Sequence, residues 1–330
     1  MNEYSPFSYQ IFPPEYFEKK AVRKTALLVG VLIFLYVLTS FYAEFLIIAV
    51  ASLFNLNTYT TQVAQENAEQ IIFMLTYALT MIIPFGIYAL LTKIPLKVAF
   101  PMRKPRPSLA LPAVPLTLGV SVIGIFLSGL MLTFFSIFNL SYDVPAMPTP
   151  TTTVAKILHL ISMSVLPAVF EELAFRGILM QSLRRHGDTF ALVTSAVVFS
   201  LFHGNLLQLP NTFILGLLIG FFVLRTDSLI TGMLMHFFNN FIITVVDMFL
   251  ISNLSEVEGA FVTLALLGTY VLIGVAALAY YLVKKKEIFK LFPSYTYLPT
   301  SKKLAAFFTQ PLLIVAMGIM GILCLAFFAI

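Results

Sequence analysis

Long apolar runs separated by short polar breaks are the main feature of this sequence. Most runs reach the ~20 residues that an α-helix needs to cross the hydrocarbon core of a bilayer, and most are apolar on every face. Nine runs can be delimited: Thr25–Phe54, Ile71–Leu91, Leu109–Phe138, Val154–Arg185, Thr189–His203, Leu209–Leu224, Leu229–Ile251, Phe261–Val283 and Leu304–Ile330. The pattern predicts an all-α, polytopic membrane bundle of about nine transmembrane helices.

The composition supports a membrane protein. Of the 330 residues, 59% are hydrophobic and only 11% are charged, whereas soluble domains average roughly 25% charged residues. This balance excludes an ordinary soluble globule. The only cysteine, Cys324, lies in the last run, which excludes an intrachain disulfide and a cysteine-rich zinc site.

The basic residues predict the orientation of the bundle. Lysine and arginine flanking membrane spans concentrate on the cytoplasmic side. With nine spans and a cytoplasmic N-terminus, all 20 lysines and arginines except Lys156 and Arg176 lie on the cytoplasmic side. Membrane topology therefore explains the formal charge of +5, and no nucleic-acid partner is expected.

Three apolar runs contain ionisable or polar side chains that are costly in a bilayer. The fourth contains EELAFR, from Glu171 to Arg176, the fifth ends in FSLFH, from Phe199 to His203, and the seventh contains HFFNN, from His236 to Asn240. Ionisable groups inside a bilayer cost several kcal/mol unless they are paired or face a watery cavity, so they are functional candidates. The three motifs are where chemistry is expected.

Helical spacing predicts which of these side chains share a face. Glu172 and Arg176 are four residues apart, so the guanidinium can neutralise that carboxylate. Glu171 lies about 100° further round the helix and could face elsewhere; as the less compensated carboxylate of the two, it is the candidate base. His236 and Asn240 are also four apart, so both can donate hydrogen bonds to one oxyanion.

Simpler explanations exist for each motif alone. A buried glutamate–arginine pair is often only a structural clamp, and a lone buried histidine more often bonds a backbone carbonyl than performs chemistry. A rise of ~1.5 Å per residue from the inner loops nevertheless puts the motifs at similar depths. Together they favour one site, whereas His159 and His186 are interpreted as incidental.

The three motifs resemble those of a known family. In order, they match the EExxxR, FxxxH and HxxxN motifs of the CAAX protease and bacteriocin-processing family, which contains type II CAAX endopeptidases and bacterial relatives; the stretch RTDSLITGMLMH also looks like that family. The resemblance covers only the region from roughly Val154 to Val246, which predicts a catalytic core over 154–252. The apolar runs predict a cytoplasmic N-terminal segment with three transmembrane helices before it (1–153) and two C-terminal helices after it (253–330).

The resemblance also implies roles for the motif residues. Glu171 and His203 would activate a water, His236 and Asn240 would stabilise the tetrahedral oxyanion, and Glu172, Arg176 and Phe199 would support them. A zinc ion held by Glu171, His203 and His236 stays open beside a metal-free glutamate mechanism. The metal-free mechanism is favoured because HExxH is absent from the sequence and an asparagine is a poor zinc ligand.

The implied function is an intramembrane endopeptidase in the plasma membrane of a prokaryote. Its partners would be the lipid bilayer and a substrate that is either a prenylated CAAX-type peptide or a bacterial membrane peptide or protein. Two alternatives are a secondary transporter that uses the Glu/His cluster and a non-catalytic immunity or scaffold protein. The sequence shows no internal repeat of the kind a transporter predicts, and it predicts no oligomeric state.

Overall fold

A computed structural model describes residues 13–53, 61–143, 149–290 and 296–329 of this chain. Its main helices are α1 (Pro14–Leu53), α2 (Gln62–Thr92), α3 (Pro107–Ile137), α4 (Thr153–His186), α5 (Asp188–Leu201), α6 (Leu209–Thr226), α7 (Leu229–Phe249), α8 (Glu256–Lys284), α9 (Thr300–Phe308) and α10 (Pro311–Leu325). The predicted run ends at Phe54 and Ile330 lie outside the described residues. The all-α, polytopic fold is confirmed.

Within the described ranges, seven helices are long and apolar enough to cross a membrane, namely α1, α2, α3, α4, α6, α7 and α8. The pair α9 and α10 adds an eighth span if it is counted as one, although it bends by 72°. The bend falls where Gln310 caps the new helix by accepting a hydrogen bond from the Leu313 amide, next to Pro311. Helix α5, the predicted fifth span, has only 14 residues. The count of nine and the cytoplasmic N-terminus therefore stay predictions.

The short helix α5 lies at the centre of the bundle. It packs against α6 and also contacts α4, α9 and α10. Gly216 and Gly220 make the close approach of α6 possible, because a Cβ at these positions would lie 3.2 Å from the Cβ of Ala196 and 2.8 Å from Cδ1 of Leu192. Helix α2 packs on α1 and on α4, so the N-terminal helices lie directly beside the helix that contains EELAFR.

Tyr142 ties together three segments at the predicted outer end. It lies in a two-residue strand, β1 (Ser141–Tyr142), which pairs antiparallel with β2 (Phe328–Ala329). Its hydroxyl donates to the Cys324 carbonyl and accepts from the Leu206 amide. Burial raises the pKa of this phenol, so Tyr142 stays neutral near pH 7 and can make both bonds. The chain after α5 is thereby held in place.

A buried lysine joins segments at the predicted inner end. Lys303 Nζ donates to the His186 carbonyl at 2.5 Å and to Thr296 Oγ1 at 2.9 Å. The His186 ring bonds the Thr25 hydroxyl at 3.0 Å. His186 therefore takes part in a structural connection between α1, α4 and α9, far along α4 from the EELAFR motif.

Candidate active site

Glu172 and Arg176 form a buried ion pair on one face of α4, as their spacing predicts. Glu172 Oε1 lies 3.2 Å from Arg176 Nη1, and the two residues are 0% and 1% exposed. The guanidinium also lies over the ring of Phe199 on α5, 4.0 Å from its centroid. Loss of one partner from a buried pair typically costs about 3–5 kcal/mol, because the other charge is left uncompensated. The pair therefore fixes Glu172 firmly.

His236 on α7 lies between both glutamates. Its Nδ1 is 2.9 Å from Glu172 Oε1, and its Nε2 is 3.7 Å from Glu171 Oε2. Glu171 therefore does not face away from Glu172. Both carboxylates approach one imidazole ring, at opposite ring nitrogens.

A π-helical stretch of α4 explains this convergence. The helix is π-helical over Ile161–Val165 and again over Glu172–Leu179, and Glu171 is the last residue before the second stretch. A π-helix bonds residue i to i+5, which makes a wider turn. Successive side chains then diverge by less than the ~100° of an α-helix. Such bulges are frequent at functional sites.

His203 lies two residues after the end of α5, and contacts with Phe199 fix the orientation of its ring. Its Nδ1 is 3.0 Å from the Phe199 carbonyl, and its ring packs edge-on to the Phe199 ring at 4.9 Å. Because a carbonyl can only accept, Nδ1 carries the hydrogen, and Nε2 of the neutral ring is free to accept a proton. His203 also lies close enough to Glu171 and His236 to interact electrostatically.

Asn240 already uses its amide in a structural bond. Its Nδ2 donates to the Met163 carbonyl at 3.3 Å, and its Oδ1 accepts from Asn239 Nδ2 at 3.1 Å. Pro167, four residues on, has no N–H to donate to this carbonyl. The second hydrogen of Nδ2 is left for a ligand, and the oxyanion role of Asn240 stays a prediction.

The predicted zinc ligands do not form a metal site in this arrangement. Among the residues that the structure describes, no three His, Cys, Asp or Glu side chains are placed so that they could hold one ion. In particular, both ring nitrogens of His236 are directed at carboxylates. The three side chains named for zinc, Glu171, His203 and His236, are close together but not arranged as ligands of one ion.

Two residues that contact the glutamates lie outside the three sequence motifs. Tyr77 on α2 donates its hydroxyl proton to Glu171 Oε1 at 2.5 Å. Gly232 lies one turn before His236, and a Cβ there would be 2.7 Å from Glu172 Oε2. Gly232 lies within RTDSLITGMLMH, where its spacing of four from His236 could have identified it. A single tyrosine in an apolar run gives no comparable signal.

These observations first define a class: a multi-pass membrane protein with a buried cluster of glutamates, arginine and histidines contributed by α4, α5 and α7. Residues 153–242 match the family model described as type II CAAX prenyl endopeptidase Rce1-like. The match contains all three motifs, and it supports the resemblance of residues 153–242 to the CAAX protease family. It supports membrane-embedded endopeptidase activity in general. No curated protein and no solved structure matches the chain.

Proposed function

We propose that this protein hydrolyses a peptide bond of a membrane-associated substrate with a water activated by Glu171 and His203. The proposal rests on the different surroundings of the two oxygens of the Glu171 carboxylate. Its Oε1 is held by Tyr77, whereas its Oε2 is buried without a hydrogen-bond partner and faces His236 at 3.7 Å. At 3.7 Å the two atoms are too far apart for a hydrogen bond, so Oε2 keeps its capacity to accept a proton.

The proposed reaction has two steps. In the first, Glu171 Oε2 takes a proton from the water, and the hydroxide adds to the peptide carbonyl carbon to form a tetrahedral oxyanion. In the second, Glu171 returns the proton to the amide nitrogen and the C–N bond breaks, which leaves a carboxylic acid and an amine; the proton of the acid then passes to the amine, giving a carboxylate and an ammonium group. His203 Nε2 accepts a hydrogen bond from the water and orients it for attack.

His236 would stabilise the oxyanion as an imidazolium. Its Nδ1 is bound to the Glu172 carboxylate, which can only accept, so Nε2 can donate only when the ring is doubly protonated. With that proton, Glu171, Glu172, Arg176 and His236 carry no net charge together, which lowers the cost of burying them. The second N–H of Asn240 would be the other donor to the oxyanion.

An apolar groove beside the site supports a hydrophobic, membrane-associated substrate. The groove between α2 and α4 has a volume of about 770 Å³. Its lining includes Phe170, Leu173 and Ala174, which adjoin the two glutamates in sequence, and Lys93, but none of the side chains of the cluster itself. The exposed side chains of Ile82 and Leu90 open it sideways to where lipid would lie. A lipid chain or an apolar peptide segment fits this groove.

The test is cleavage of prenylated CAAX peptides and a membrane-peptide library by the purified protein in detergent. Glu171→Ala is compared with Asp247→Ala, which removes a carboxylate of α7 outside the cluster, and each is assayed with and without a chelator. We expect cleavage by the wild type and by Asp247→Ala, loss in Glu171→Ala, and no effect of the chelator. Chelator-sensitive cleavage would move the protein to the metalloproteases, and cleavage by Glu171→Ala would remove this residue as the base.

One observation favours a second function, binding without cleavage. Both predicted oxyanion donors, His236 and Asn240, are bonded to protein groups in the structure. An immunity or scaffold protein could hold a peptide in the same groove. This alternative predicts that the cellular function survives Glu171→Ala, whereas the protease proposal predicts its loss. For either function we propose the plasma membrane of a prokaryote as the location.

A further inference from the structure

Helix α2 contributes a side chain to the site although it lies outside the segment that matches the family model. The Tyr77 hydroxyl is 2.5 Å from Glu171 Oε1, across 94 residues of sequence. A phenol is a donor here because a carboxylate can only accept. Bonds from a neutral donor to a charged acceptor are shorter and stronger than neutral ones. Among the described residues, no other group donates a hydrogen bond to this carboxylate.

The position of the phenol is fixed by its surroundings. The Tyr77 ring stacks on Phe73, one turn earlier in α2, with ring centroids 6.1 Å apart, and α2 packs along α4. The other tyrosine near the site, Tyr36, cannot take its place. Its single hydroxyl proton is donated to the Phe202 carbonyl at 2.7 Å. Tyr77 is therefore the group that sets how the Glu171 carboxylate is rotated.

We propose that Tyr77 is a positioning residue that occupies Oε1 of Glu171 and thereby makes Oε2 the atom that exchanges the proton with the nucleophilic water. This inference rests on the proposed endopeptidase function. It also assigns a role to the N-terminal helices: α2 presents the phenol, so residues 153–242 alone do not complete the site. Without the phenol, the carboxylate is free to rotate, and Oε2 no longer points steadily at the gap beside His236.

The first measurement is steady-state kinetics of Tyr77→Phe on the peptide that the wild type cleaves. The matched control is Tyr88→Phe, on the same helix, which also loses one buried hydrogen bond, from its hydroxyl to Ser182 Oγ at 2.9 Å. A hydrogen bond to a charged group is worth the equivalent of about ten- to a hundredfold. We expect kcat to fall by about that factor in Tyr77→Phe with KM unchanged, and to stay near the wild-type value in Tyr88→Phe.

The second measurement does not depend on activity. Thermal unfolding is followed for the wild type, Tyr77→Phe, Glu171→Ala, which removes the acceptor of the Tyr77 hydroxyl, and the double variant in one detergent. If Tyr77 holds Glu171, the two substitutions are non-additive, because the second removes a bond that the first has already broken. The cycle with Tyr88→Phe in place of Tyr77→Phe is expected to be additive.

The outcomes separate the two proposals. Non-additive unfolding together with a selective fall in kcat supports the role of Tyr77. Additive unfolding, or equal kcat losses in Tyr77→Phe and Tyr88→Phe, overturns it. If the wild type cleaves no peptide, the endopeptidase proposal fails, and the unfolding cycle still decides whether Tyr77 holds the Glu171 carboxylate.

Discussion

Gly232 is where a single added methyl group is expected to disturb the site most directly. The Cβ of Gly232→Ala would lie 2.7 Å from Glu172 Oε2, 2.7 Å from Val223 Cγ2 and 3.3 Å from Ile219 Cγ2. To restore an ordinary contact of ~3.5 Å, the neighbours must move apart by about 0.8 Å. Glu172 is held by Arg176, so it cannot move away without weakening a buried ion pair.

This displacement predicts a larger effect on activity than on stability. Overpacking lowers the free energy of unfolding by about 1–3 kcal/mol, and the higher helix propensity of alanine raises it by about 1 kcal/mol. The free energy of unfolding should therefore fall by about 0–2 kcal/mol. A misplacement of about 1 Å in catalytic geometry costs about a hundredfold in rate, because Glu172 orients His236. We expect kcat of Gly232→Ala to fall by about that factor.

The assay compares Gly232→Ala with Gly220→Ala by peptide cleavage and thermal unfolding. The Cβ of Gly220→Ala would be 2.8 Å from Leu192 Cδ1, the end of a flexible side chain outside the polar cluster. Its overlap is similar, so we expect a similar change in stability but an unchanged kcat. Equal kcat losses in the two variants, or full activity in Gly232→Ala, would refute the reasoning.

Two further predictions concern single contacts. Arg176→Lys keeps the charge beside Glu172 but loses the guanidinium that stacks on Phe199 at 4.0 Å. We expect the free energy of unfolding to fall by about 1–2 kcal/mol and kcat to fall as well. Calorimetry and peptide cleavage measure the two effects, and an unchanged kcat would contradict the prediction. Tyr142→Phe removes the acceptor of the Leu206 amide. We expect the free energy of unfolding to fall by about 1–3 kcal/mol and kcat to stay unchanged. A loss of activity without a loss of stability would contradict a purely structural role.

The sequence predicts the parts of the site that depend on local spacing. Four-residue spacing on a helix places Glu172 beside Arg176, and the structure shows that pair. The cost of ionisable groups in a bilayer also singles out the three apolar runs that meet at the cluster. Similar depths for Glu171 and His236 are consistent with the 3.7 Å between them.

Other features depend on tertiary contacts or on departures from a regular helix. Because a π-helical stretch has no periodicity that can be read from sequence, the common site is predicted but the approach of both glutamates to the two nitrogens of one ring is not. The contact of Tyr77 joins helices 94 residues apart, and its neighbourhood is uniformly apolar. The 72° bend before α10 coincides with Pro311, which marks a break but not its angle.

The central claim is that Glu171 transfers the proton of the attacking water. The most direct test is the single-turnover rate of Glu171→Gln, which keeps the size of the side chain and an acceptor for Tyr77 but cannot take a proton. Loss of a positioned general base costs about 10²–10⁴-fold, so we predict a rate reduced by that factor in a variant that binds the peptide as tightly as the wild type. A single-turnover rate within a few-fold of the wild type would contradict the account.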